Sequence, residues 1–461
     1  MPKRKIEIPY VHGFRLPSVD DVQSAIGTFP WTDSVAKINK HQDALLGVNG
    51  CEGVDEDDEK ERDGVGRFSD TVTVRSIKQC DDESLYADNK RGTSSASWKP
   101  LPPPIDEGAW LANVNEEGQT FSQYVSMVTL RSGQLKPNTC YTQSKIYIVP
   151  IVDHDETPVW PRAGPTLDGL AAWMSAFFSK PVQILDFVTL IPIIQEDGTR
   201  KRAAKNKVLW KSSERESRLV GRVCKKTGRY QTHVNGLLDE LFTMKEDGKQ
   251  GGVILDDAFS VVGVTMCDLY SCNADLFVAG MAAGGSKVAV LSFARYHPML
   301  KMSPEKWDDY GYIKKMSNYS YFEDNKRRPA TSPDAPHQED MDPSTIAELF
   351  RRAGKLLIHE MCHVYGIDHC VHHHCLMNGT AHLVEDFASP CQICRVCLRK
   401  LQFRLGFDVR RRYNSLAEVY RRFGMREQVK WVEKRLSTIN ETVVEPEIGN
   451  DTNLVIDLTE D

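Results

Sequence analysis

The most constraining stretch of the sequence lies between His359 and Cys397. It holds six of the 12 cysteines and seven of the 13 histidines in the 461-residue chain. A helix with clear start signals leads into it. Asp342 can cap, Pro343 suits the first helical position, and Ile346, Leu349, Phe350, Ala353 and Leu357 recur at helical spacing. That helix carries His359-Glu360-Met361-Cys362-His363. At about 100° per residue, side chains four apart lie about 40° apart, so both imidazoles share a face away from the apolar stripe. Gly366 sits where a helix stops in a left-handed residue, and the turn brings His369 back toward the same pair.

The whole pattern is H-E-x-x-H-x-x-G-x-x-H, and its chemistry is that of a metal centre. Three neutral imidazoles from His359, His363 and His369 leave a zinc ion one open position for water, with Glu360 placed to take that water's proton. Cys370-x4-Cys375 and then Cys394-x2-Cys397 follow. Four thiolates close a tetrahedral zinc site, which makes it structural rather than catalytic. Cys391-x2-Cys394 is a competing register with the same spacing. Cys362 faces another side of the helix and reads as a packed thiol, and His372, His373, His374 and His382 as bystanders. Two zinc ions per chain are therefore expected.

Residues 359–401 resemble the archaemetzincins, a branch of the metzincin zinc peptidases. The family pattern is H-E-x-x-H-x-x-G-x3-C-x4-C-x-M followed by C-x-x-C after about seventeen residues. His359, Glu360, His363, Gly366, Cys370, Cys375 and Met377 match it, with the third histidine at His369. Sixteen residues separate Met377 from Cys394, against 13 for Cys391, and Cys394-Arg395-Val396-Cys397-Leu398-Arg399-Lys400-Leu401 is similar to the family's C-x-x-C-L-x-K-L. The resemblance thus favours Cys394 and Cys397 over Cys391. It extends loosely upstream through residues 261–270 and 291–296. It implies a peptidase acting on peptide or protein substrates, sometimes narrowly, and makes Met377 the Met-turn residue beneath the three imidazoles.

The rest of the chain predicts an α+β fold with a mixed sheet. Residues 146–149 read as a strand, 167–178 as a helix and 182–194 as a strand. A basic loop spans 198–217, a helix 234–242, and β-rich runs at 259–266, 275–279 and 288–293 suggest a meander. The expected division is a weakly ordered region over 1–139, with acidic and Pro/Ser-rich linkers, a peptidase domain over 140–437 and a flexible tail over 438–461.

No apolar run reaches 18 residues, which excludes a membrane-spanning helix. The start lacks a secretory core, so thiols in a reducing, intracellular compartment (cytoplasm or nucleus) are expected. A net charge of −6 argues against a broad nucleic-acid surface, leaving only weak local candidates at Pro2-Lys3-Arg4-Lys5 and the loop 199–207. In the tail, Val455, Ile456, Asp457 and Leu458, followed by acids, resemble a SUMO-interacting motif that adds as a strand to a partner sheet. The alternative to a peptidase is a catalytically silent zinc-binding adaptor for SUMO-modified partners, which intact Glu360 and His369 disfavour. A RING-like module would leave the histidine helix without a role.

Overall fold

A computed structural model of the chain describes residues 9–27, 83–86, 98–130, 145–153, 160–161, 164–192, 207–224, 230–248, 254, 256–273, 275–298 and 341–442. The tail residues Val455, Ile456, Asp457 and Leu458, the basic start and residues 199–206 lie outside them.

Among the described residues ten strands form one mixed sheet: β1 (Lys145–Val152), β2 (Val182–Ile184), β3 (Val188–Pro192), β4 (Lys207–Lys211), β5 (Glu216–Val223), β6 (Tyr230–His233), β7 (Ala258–Thr265), β8 (Asp268–Tyr270), β9 (Gly280–Ala283) and β10 (Val288–Ser292). Their order is β8-β6-β5-β4-β3-β1-β7-β10-β9, with β2 also paired to β1. β1, β7 and β10 run parallel at the centre, Ile148 facing Val262 and Val262 facing Ala289. Parallel central strands need cover on both faces, and their near-continuous Val/Ile/Leu content supplies it.

One face of these strands, including Ile146, Ile148, Val262, Val264 and Leu291, packs against α4 (Leu167–Phe178) and α6 (Pro343–Val364). The other, with Tyr147, Val149, Val261, Val288 and Val290, packs on Leu237, Leu238 and Leu241 of α5 (Val234–Gly248). The strand–helix opening and the bounds of α4 agree with the sequence reading, whereas the one strand expected over 182–194 is two, β2 and β3, both paired with β1. The supposed basic loop instead contains the antiparallel pair β4–β5. The expected meander is replaced by parallel β7–β10 with β9 folded back antiparallel at the sheet edge. β8 leaves for the opposite edge, where it pairs with β6.

α6 begins as its sequence dictates. The Asp342 carboxylate accepts from the Ser344 and Thr345 amides at 3.0 Å each, with Pro343 in the first turn. It packs on α4 through Trp173 and Phe350, ring centroids 5.2 Å apart. The chain then continues through α7 (Leu383–Ala388), α8 (Arg395–Leu405), α9 (Val409–Arg422) and α10 (Arg426–Thr442). α9 and α10 are separated at Gly424, whose φ is +68°.

Before residue 140, α1 (Val19–Ile26), a 3-10 turn (Glu83–Tyr86), α2 (Trp110–Asn113) and α3 (Phe121–Leu130) lie against this body. Ala25, Ile26, Leu85, Tyr86, Trp98 and Tyr124 join the main core. Among the described residues no helix is long and apolar enough to cross a membrane.

A buried ion pair ties β8 to the loop after β10. Arg295 reaches Asp268 through Nε at 3.0 Å and Nη2 at 2.6 Å, and Gln231 Nε2 donates to the same carboxylate at 3.0 Å. Removing one partner of such a pair strands the other charge away from water, at a cost of about 3–5 kcal/mol. Arg295→Ala should therefore lower the urea midpoint by that equivalent. A loss under about 1 kcal/mol would mean that Asp268 finds water instead.

Candidate metal centre and cleft

α6 ends in a Schellman turn: Gly366 N donates to His363 O at 2.9 Å and Ile367 N to Cys362 O at 3.0 Å. The φ of +85° at Gly366 is one that a side chain would strain. The turn reverses the chain and brings His369 beside the helix. The ligand atoms of His359, His363 and His369 lie within 4.8 Å of one another, and so do the thiols of Cys370, Cys375, Cys394 and Cys397.

In each histidine the Nδ1 side is committed. His359 Nδ1–H donates to Leu376 O at 2.8 Å, His363 Nδ1–H to Ile367 O at 2.8 Å, and His369 Nδ1–H to Glu116 Oε1 at 2.7 Å. A carbonyl can only accept, so the proton sits on Nδ1 and the Nε2 lone pairs are left facing each other. His359 and His363 Nε2 are 3.1 Å apart. A tetrahedral zinc with Zn–N bonds of about 2.0–2.1 Å places its donors roughly 3.3 Å apart, so the pair fits such an ion. Burial, then the neighbouring imidazoles His363 and His369, push His359 well below its ordinary pKa. Burial and His369 bring His363 down to about 4. Both are therefore neutral near pH 7, the form a metal requires.

The four thiols are fully enclosed. Cys370 and Cys394 Sγ are 3.6 Å apart, close to the roughly 3.8 Å spacing of a tetrahedral Zn–S set at about 2.3 Å. Hydrogen bonds from Cys375, Cys394 and Cys397 hold Cys370 well below the usual thiol range, so thiolate is favoured there first. The Cys394 and Met377 amides both donate to Cys375 Sγ, at 3.2 and 3.4 Å. Cys362 and Cys391 are buried outside this group, and burial pushes both thiols up. Met377 is fully buried, and its carbonyl accepts from Cys370 N at 2.7 Å.

The other histidines serve the surrounding loops. His373 Nδ1 bonds Lys99 O at 3.2 Å, while His382 caps α7 and meets Asp106 at 3.1 Å.

A cleft of about 810 Å³ opens over the histidines. Edge strand β9, Trp110, Tyr296, residues 380–384, Asp386 and Phe387 line it, together with Glu360. β9 comes so close to α6 that a Cβ on Gly280 would lie 3.0 Å from Glu360 Cγ, so a larger residue there would have to shift Glu360 or the strand by a few tenths of an ångström. Burial pushes the Glu360 carboxyl up to about 7, partly countered by His369. Sequence reasoning missed Glu116, Trp110 and Gly280. Glu116 lies 253 residues from its partner, and no local pattern marks it.

The family model described as peptidase family M54 matches residues 344–403. Archaemetzincin-2 of Macaca fascicularis is 34% identical over 201 residues, covering 42% of this chain and 48% of that protein. Archaemetzincin-1 of Homo sapiens is 31% identical over 204 residues, covering 43% of this chain and 36% of that protein. A crystal structure of an archaemetzincin from Methanopyrus kandleri aligns with 57% of this chain and 96% of its own, at 19% identity and a TM-score of 0.31. The chain is thus similar to the archaemetzincins, with the peptidase M54 match confined to residues 344–403. It spans about half the length, or less, of the curated relatives it matches.

The two donor groups differ in access, since the histidines are half-buried at a cleft and the cysteines enclosed. Dialysis against a chelator should empty the histidine group first and leave the fold intact. Metal loss from the cysteine group should coincide with unfolding. Metal content and circular dichroism along one chelator series test this, and simultaneous loss from both groups would contradict it.

Proposed function

We propose that the chain is a zinc-dependent peptidase that hydrolyses peptide bonds in its cleft. Its working unit combines residues 140–437 with the segment 98–130. What carries this reading is the convergence of three imidazoles, their ligand atoms within 4.8 Å of one another, beside Glu360 in an open cleft. His359, His363 and His369 would hold a catalytic zinc, and Cys370, Cys375, Cys394 and Cys397 a structural one. Met377 supplies apolar support below the histidines.

Zinc bound by three imidazoles supplies Lewis acidity that draws a water's pKa toward neutrality and stabilises a developing oxyanion. Glu360 takes the proton from water as it attacks the scissile carbonyl and returns it to the leaving amine. Among the described residues β9 ends the sheet, and its outer edge offers backbone donors and acceptors to an extended peptide. Gly280, on that edge, lets the peptide lie close above Glu360.

The Glu360→Gln variant keeps size and packing but cannot accept the proton. It should retain two zinc ions and lose turnover by at least a thousandfold on a peptide that the wild type cleaves, and wild-type cleavage would sink the assignment. Gly280→Ala should fold normally and cut kcat about tenfold to a hundredfold by displacing Glu360 or the edge strand. Unchanged kcat would show that the close approach has no catalytic consequence.

A further inference from the structure

The three imidazoles are not oriented alike. Those of His359 and His363 stand on α6 and donate to backbone carbonyls, whereas His369 stands on a loop and donates to a carboxylate. The carboxylate belongs to Glu116, in the connection between α2 and α3, far earlier in the chain. We propose that Glu116 is a positioning residue for His369, and that the segment 98–130 is a strap whose task at this site is to deliver it. The proposal rests on the zinc reading of the histidine group.

The bond has the character of a charge-assisted contact. At 2.7 Å, Nδ1–H of His369 meets Oε1 of Glu116, while Oε2 is buried with no hydrogen-bond partner among the described residues. A carboxylate taken from water with one oxygen unsatisfied is costly unless a cation stands near it. A metal-bound imidazole carries such positive charge, and a carboxylate behind it fixes the ring's tautomer and raises its basicity as a ligand. His369 needs this more than its partners do, because a loop holds a side chain less rigidly than a helix.

The strap is fastened on both sides of Glu116. On one side, the Trp110 amide donates to Glu385 Oε2 at 2.9 Å, and its indole meets the His369 ring edge-on at 5.4 Å between centroids. On the other, Gln119 Nε2 reaches Gly366 O at 3.2 Å and Asp368 Oδ2 at 3.0 Å, and Lys400 donates to Gln119 O. Tyr124 OH then donates to Tyr365 O at 3.0 Å. These bonds grip the turn at residues 365–368 that presents His369.

The test measures zinc affinity at the histidine group in the full-length chain by chelator competition, the cysteine-bound zinc serving as internal reference. Cobalt replaces zinc for a visible spectrum of the ligand field. Glu116→Ala should weaken the histidine site about tenfold to a hundredfold, the range typical of outer-shell partners, and alter the cobalt bands. Glu116→Gln, which keeps an acceptor but not the charge, should recover part of that affinity. Tyr147→Phe, which removes a hydrogen bond to Asp257 on the sheet face packed against α5 and away from the strap, should leave both affinity and spectrum as in the wild type. The proposal is overturned if Glu116→Ala binds zinc as tightly as the wild type, or if Tyr147→Phe weakens it equally. A wild-type chain that takes up only the cysteine-bound zinc overturns the zinc reading itself, and this inference with it.

Discussion

The chain reversal at Gly366 is the constraint on which the rest of the site depends. It ends α6 just after His363 and returns the backbone so that His369 faces the helix from which it has emerged. The next residue, Cys370, belongs to the four-thiol group. Adjacent residues on a non-helical backbone point to different sides, so one short segment serves two donor groups at once. Clamping Cys370 among three other thiols therefore also sets where His369 can lie. The closed cysteine group is a fastening for the open histidine group, and its enclosure at the core explains why it can bear that load.

The sheet supplies the second half of the cleft. Parallel β1, β7 and β10 are buried on both faces and give α6 a floor, while among the described residues β9 is left at the edge with an unpaired side. Free strand edges are hazards that proteins commonly block. Here the edge lies directly over Glu360, at a glycine that lets the two approach. The Arg295–Asp268 pair holds the loop that follows β10, which also carries Tyr296 into the cleft wall. Stability and accessibility are thus divided between the middle of the sheet and its margin.

How much was legible in the sequence follows from how local each determinant is. The start of α6 was readable because Asp342 and Pro343 act on neighbours within one turn. α4 was readable from its apolar spacing, and the histidine and cysteine groups from fixed intervals within about forty residues of chain. β4 and β5 were hidden because half-exposed strands rich in Lys, Arg and Ser resemble a polar loop. β9 was displaced from the expected run because its small residues, Gly280 and Ala283 among them, carry little strand signal. Glu116 and Trp110 could not be found at all, since a single carboxylate or indole in a weakly patterned region becomes meaningful only when folding sets it against His369.

Zinc-edge anomalous diffraction from crystals of the full-length chain tests the central claim most directly. The account predicts two peaks. One is enclosed by Cys370, Cys375, Cys394 and Cys397, and the other is held by His359, His363 and His369, with a fourth position open to the cleft beside Glu360. A single peak at the cysteines, or a protein side chain closing the fourth position of the histidine site, would contradict it.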